Sequence, residues 1–145
     1  MSDVPIEAMD ALRQAQQLHA AGQIDAALAS ARHALELAPR YVAAWSYLGT
    51  TLVTRRLEYA DGLAALERAL TLAPNDAGVH YSLGWCYEFV AYRLEKQTRR
   101  PYRQPLELYR LAAKHLQACI DLEPEQKLRE DAEDLLVSVE LRLDD

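Results

Sequence analysis

The sequence predicts an all-α chain built from antiparallel helical hairpins repeated in tandem. Three observations carry this expectation. Ala and Leu dominate over Val and Ile in a chain of 145 residues that holds only 5 Gly and 6 Pro, and small or unbranched side chains lose little rotamer freedom in a helix. Three segments end alike, ALELAP at 34–39, ALTLAP at 69–74 and CIDLEP at 119–124, each a helix tail stopped by a proline that cannot continue it. The pair Leu-Gly recurs inside a helical pattern, as Leu48-Gly49 and Leu83-Gly84.

Pro39 and Pro74 are 35 residues apart, and Pro74 and Pro124 are 50 apart. A unit of about 34 residues, with one extra residue in the second copy and about sixteen in the third, accounts for both intervals. The spacing of apolar positions predicts helices over 5–20, 24–37, 41–56, 59–72, 77–98, 106–121 and 126–142. Pro5 suits a first-turn position, with Ser2 or Asp3 able to cap ahead of it. Gly22 suits the tight turn of the first hairpin, and Asn75-Asp76 caps the third repeat's first helix. Pro101 and Pro105 break the helical pattern and predict an extended elbow between 98 and 106.

A mid-helix glycine costs roughly 1 kcal/mol against alanine, so its recurrence at one repeat position points to two helix backbones in close approach. Ala15 supplies the small residue at that place in the first copy. The second helix of each hairpin carries small or apolar groups at helical spacing: Ala27, Ala31, Ala34; Gly62, Leu66, Ala69; Ala112, Leu116, Cys119. The last stretch places Leu128, Ala132, Leu135, Leu136, Val139 and Leu143 along one side and reads as an amphipathic cap for the final hairpin. Its acid pairs, Glu130-Asp131 and Glu133-Asp134, read as a solvated face.

On Trp45-x-x-Leu48-Gly49, Leu83-Gly84-x-x-Tyr87, Ala27 and Ala112, the Ala34/Ala69/Cys119 column and the three prolines, the chain resembles the tetratricopeptide repeat (TPR) family over roughly residues 8–124. The resemblance implies a right-handed superhelical solenoid of about seven helices in one domain over 1–145. Its parts would be repeat one at 8–41, repeat two at 42–76, repeat three at 77–125 with an insertion around 92–106, and a capping helix at 126–142. In that family the first helices of the hairpins line a concave, partner-binding surface. Carried over, the groove residues are Leu12, Gln16 and His19, then Ser46, Tyr47, Thr50 and Val53, then Tyr81, Trp85, Glu88 and Phe89. Tyr81, Trp85 and Phe89 share one helix face and form an aromatic stripe. The stripe either anchors a partner or packs on the insertion and the last helix. A subgroup of the family grips the C-terminal carboxylate of heat-shock chaperones with a basic clamp. The corresponding positions here, Leu12, Gln16, Tyr47, Gly78 and Ser82, supply no positive charge, which disfavours that role.

The formal charge of −6 argues against general nucleic-acid binding. Locally the sign reverses: residues 93–114 hold seven Lys/Arg against two acids. Arg93, Lys96, Arg99, Arg100 and Arg103 of that stretch interleave with Tyr102 and Tyr109 and with Tyr92 just before it. Such a mixture can stack on bases, grip an acidic peptide, or be balanced by residues 121–145, which hold ten acids and three bases. Cys86 and Cys119 form neither a disulfide framework nor a zinc pattern. The four histidines lack ligand spacing, and His80 stands at Trp45's repeat position as a packing residue. No phosphate-binding loop or nucleophile elbow occurs, no cofactor or metal is implied, and no run of about 18 apolar residues spans a membrane. The acidic N-terminus does not read as a signal peptide, so a cytoplasmic setting is expected.

The reading is therefore a non-enzymatic scaffold that binds a peptide or helix of another protein. The alternatives are a secretion-type chaperone or a nucleic-acid contact through 93–114. Stacking or swapping of a terminal hairpin would allow a homo-oligomer.

Overall fold

The computed structural model describes residues 4–97 and 103–144, the side chains of Arg103 and Gln104 excepted. Among these residues there are seven helices and no strand: α1 (Ile6–Ala20), α2 (Ile24–Leu37), α3 (Val42–Arg55), α4 (Tyr59–Leu72), α5 (Ala77–Gln97), α6 (Arg103–Asp121) and α7 (Gln126–Leu143). The chain resolves into two compact units, Met1–Leu72 and Ala73–Asp145. The first holds the hairpins α1/α2 and α3/α4, and the second holds the hairpin α5/α6 followed by α7.

Local chemistry sets most of the boundaries. Pro5 is the residue before α1, extended at φ −62° and ψ 151°, not a first-turn residue; its carbonyl accepts from Ala8 N and Met9 N at 3.1 Å each. The proposed caps Ser2 and Asp3 lie outside the described residues. Gly22, at φ +81°, closes α1: Gln23 N donates to Leu18 O and Gly22 N to His19 O, both at 2.9 Å. This is a Schellman ending, which needs a left-handed residue that glycine adopts at no steric cost. Asp76 caps α5 through Oδ1, which accepts from Val79 N at 3.2 Å. α7 has an unpredicted cap, the Glu125 carboxylate, which accepts from Lys127 N and Leu128 N.

The elbow expectation is corrected in part. Pro101 lies outside the described residues, but Pro105 is buried inside the first turn of α6. A first-turn residue has no intrahelical acceptor for its N–H, so proline fits there without loss, and the helix starts three residues before the expected 106.

The repeat columns are the packing. Ala27 and Ala112, Ala31, Leu66 and Leu116, and Ala34, Ala69 and Cys119 are each fully buried, as is Ala15. A Cβ on Gly49 would lie 2.6 Å from Gly62 O, and one on Gly62 would lie 2.7 Å from Gly49 O. The backbones of α3 and α4 thus touch at two facing glycines. At Gly84 a Cβ would meet the Leu116 side chain at 2.7 Å and Ala112 O at 3.2 Å, so α5 and α6 approach almost as closely. α7 buries Ala132 and Val139 completely. No helix among the described residues is long and apolar enough to cross a membrane.

Candidate partner-binding surfaces

In the first unit the predicted groove residues divide. Leu12 is buried in the core beside Ala11, Ala15, Leu28 and Leu48, and Val53 is fully buried against Gly62. Neither presents its side chain to a partner: both point into the helix pair that their apolar bulk holds together. Gln16 is exposed, and His19, Ser46, Tyr47 and Thr50 are half-buried. His19 joins α1 to α3, with Nδ1 2.9 Å from the Tyr47 hydroxyl and Nε2 3.4 Å from Arg55 Nη1. A guanidinium can only donate, so Nε2 accepts and the neutral ring donates from Nδ1 to the Tyr47 oxygen. The Tyr47 ring meets the His19 ring edge-on at 5.7 Å and leans on the hydrophobic core. Arg55 was not among the predicted residues, because it pairs with a histidine 36 positions away and no local spacing signals that.

In the second unit His80 does take Trp45's structural role. Trp45 Nε1 donates to Pro39 O and His80 Nε2 reaches Pro74 O, both at 2.8 Å, so each ring ties the start of a hairpin to the proline before it. A carbonyl only accepts, so His80 Nε2 is the donor to Pro74 O, and its Nδ1 lies 3.1 Å from His115 Nδ1. His115 is buried and stacks on Tyr87 at 5.9 Å. Cys86 and Cys119 are buried thiols outside any disulfide among the described residues, and burial pushes the Cys119 thiol pKa up, which makes it a poor nucleophile.

Of the aromatic stripe, Trp85 and Phe89 stack at 5.5 Å, and the Arg93 guanidinium lies 5.4 Å from the Phe89 ring. Glu88 is half-buried beside them, and burial raises its carboxyl pKa while Arg142 partly offsets the shift. Tyr81 and Trp85 line an open cleft of about 300 Å³ whose other wall is Asp131, Asp134, Leu135 and Ser138 of α7. The stripe thus packs beside the last helix and also borders open space. The expectation for α7 needs amending. Its residues wall a cleft; Asp131, placed on the solvated face by sequence, is half-buried there.

The basic stretch is partly spent on internal contacts. Lys96 Nζ lies 5.3 Å from the Tyr92 ring. Glu95, one of the stretch's two acids, accepts from Tyr109 Oη at 2.9 Å and from Arg142 Nη1 at 2.7 Å. The Arg142 guanidinium sits over both Tyr92 and Tyr109, at 5.3 and 5.8 Å. Burial and the bond to Glu95 drive the Tyr109 phenol pKa far upward. The described ion pair between this stretch and the last helix, Glu95 with Arg142, has the opposite polarity to that expected, with the acid in the stretch and the base on α7. Arg99, Arg100 and Tyr102 lie outside the described residues, as does the side chain of Arg103. Among the described residues no group of His, Cys, Asp and Glu could hold a metal ion.

Helical hairpins with glycine-tight contacts, proline-terminated second helices and a final amphipathic helix define the TPR fold, and solved structures agree. The chain is similar to a structure described as the first TPR of Spaghetti (RPAP3) bound to the HSP90 peptide SRMEEVD. That match has a TM-score of 0.72 and 15% sequence identity, covering 96% of this chain and 94% of the other. It is also similar to the N-terminal domain of stress-induced protein-1 (STI-1) from C. elegans, with a TM-score of 0.59 and 12% identity, covering 93% and 98%. No protein-family model matches the chain, and a search of curated proteins gave no match.

Proposed function

We propose that this protein is a non-enzymatic protein–protein interaction module that holds a peptide or helical segment of a partner. The carrying observation is the cleft beside Tyr81 and Trp85, an accessible aromatic surface on a fold whose solved counterpart carries a bound peptide. Aromatic side chains that are fixed in place and partly desolvated are the usual anchors of such contacts. Trp85 is fixed by its stack on Phe89. In the first unit Gln16, His19, Tyr47 and Thr50 offer a second, polar contact surface.

The partner differs in chemistry from an acidic chaperone tail. Leu12, Gln16, Tyr47, Gly78 and Ser82 provide no cation for a terminal carboxylate, and Leu12 is buried besides. A nucleic-acid reading through residues 93–114 is weakened because Tyr92 and Tyr109 are already engaged by Arg142.

The test is affinity capture from the native host with identification by mass spectrometry, comparing the wild type with Trp85→Ala and with Tyr47→Ala. Loss of specific partners with either variant, at unchanged helicity, is the expected result. An identical partner set for the wild type and both variants would sink the proposal.

A further inference from the structure

The cleft between α5 and α7 has a chemical character that goes beyond a generic docking face. Tyr81 and Trp85 are four residues apart on α5, and Asp131 and Asp134 are three apart on α7, so each pair shares one helix face. Two aromatic rings thus stand beside two carboxylates around about 300 Å³ of open space, completed by Leu135 and Ser138. No Lys or Arg is among the lining residues. Asp131 Oδ1 does accept from Lys127 Nζ at 3.0 Å, but the lysine side chain is 76% exposed, and an exposed pair of that kind is weak and readily exchanged. Asp134 has no salt-bridge partner among the described residues.

The local field is negative. The Tyr81 phenol pKa is raised, first by burial and then by the charge of Asp131. Lys127 offsets part of that charge effect, and a carboxylate that disfavours a phenolate beside it attracts a cation by the same field. The same helix already shows how its aromatic rings receive a cation, since Arg93 sits 5.4 Å from the Phe89 ring centre.

We propose that the Tyr81–Trp85–Asp131–Asp134 cleft receives an arginine side chain carried on a basic segment of a partner protein. The inference rests on the interaction-module reading and gives that reading a partner chemistry. A guanidinium is planar, stacks on an indole face and at the same time donates in-plane hydrogen bonds to carboxylates. A quaternary ammonium would leave both aspartates without a donor, and a carboxylate ligand would face two like charges. The cleft is at the small end of ligand pockets, a size for one side chain.

The experiment uses the full chain with Trp45→Phe, which leaves Trp85 as its one tryptophan. Its emission is titrated with the peptide acetyl-Gly-Arg-Gly-Arg-Gly-amide and with the same peptide carrying citrulline, the neutral isostere, in place of arginine. The expected result is saturable binding of the arginine peptide, about tenfold tighter than the citrulline peptide, since hydrogen bonds to charged groups and a cation–aromatic contact are together worth at least a factor of that order. The double variant Asp131→Asn/Asp134→Asn keeps the helical signal and urea midpoint and loses about tenfold in affinity for the arginine peptide. Absence of arginine-peptide binding, equal binding of the citrulline peptide, or full affinity in the double variant would each overturn the inference. The two readings separate in the capture assay. If Trp85→Ala loses partners that the Asp131→Asn/Asp134→Asn variant retains, the arginine site is wrong and the interaction module stands.

Discussion

Gly49→Ala would make the α3/α4 contact fail in a measurable way. On an ordinary helix the change is favourable by roughly 1 kcal/mol, because alanine gives up less backbone entropy on folding. Here the new Cβ would lie 2.6 Å from Gly62 O and from Leu66 Cγ, and 3.0 Å from Leu66 N. Two of those three neighbours are backbone atoms of α4, so no rotamer change relieves the clash and the helices must separate. Overpacking of a well-packed contact costs about 1–3 kcal/mol, and backbone displacement puts this site at or beyond the upper end. Set against the propensity gain, the net loss is about 2 kcal/mol. For a unit of this size that lowers Tm by roughly 8–16 °C. Gly78→Ala is the control: its Cβ would meet only Asp76 Oδ1, at 3.2 Å, so its stability should change little. Gly84→Ala should fall between, since its nearest neighbours are Leu116 side-chain atoms. Circular dichroism melts and urea titrations of the three variants provide the ranking. A Gly49→Ala protein that melts at or above the wild-type temperature would refute the backbone-contact argument.

Glu88→Gln should stabilise the protein at pH 7. Burial raises the folded-state pKa of Glu88 above its ordinary 4.5, so its favourable contribution is complete below that value and is lost as pH rises through the folded pKa. Urea midpoints should show the variant ahead at pH 7 and level with wild type near pH 4; a variant less stable at pH 7 contradicts this. Glu123 sits at φ +54° just after α6 with its side chain exposed. Glu123→Gly should gain about 0.5–1 kcal/mol by relieving left-handed strain and removing a negative charge from a helix C-terminus. A thermal melt checks it, and a lowered Tm would count against the strain.

The helices and their hairpin pairing were legible in the residues. Proline stops, the Gly22 turn and apolar periodicity act within a few residues, so Ala27, Ala31 and Ala34 declared a buried face on their own. The start of α6 was missed because proline's meaning depends on position: Pro105 ends a helix in most contexts and begins one here. His80 was placed correctly as a stand-in for Trp45, but its partner His115 carried no spacing signal. Arg55 was missed for the same reason, since its contact to His19 joins distant parts of the chain.

Sequence by itself determined the periodicity, the small residues where helices touch, the lack of a basic clamp and the sign reversal at 93–114. Each of these is a local property, set by side-chain size, charge or backbone freedom at a known register. Tertiary structure alone decided which polar groups meet. It buried Leu12, spent Tyr92, Tyr109 and Glu95 on Arg142, and brought Asp131 and Asp134 of α7 beside Tyr81 and Trp85 of α5. Fifty residues separate Tyr81 from Asp131, and the distance between them in space depends on how α5 and α7 pack, which no local pattern encodes. The charge of that cleft, and so the chemistry it selects, exists only once the helices have packed.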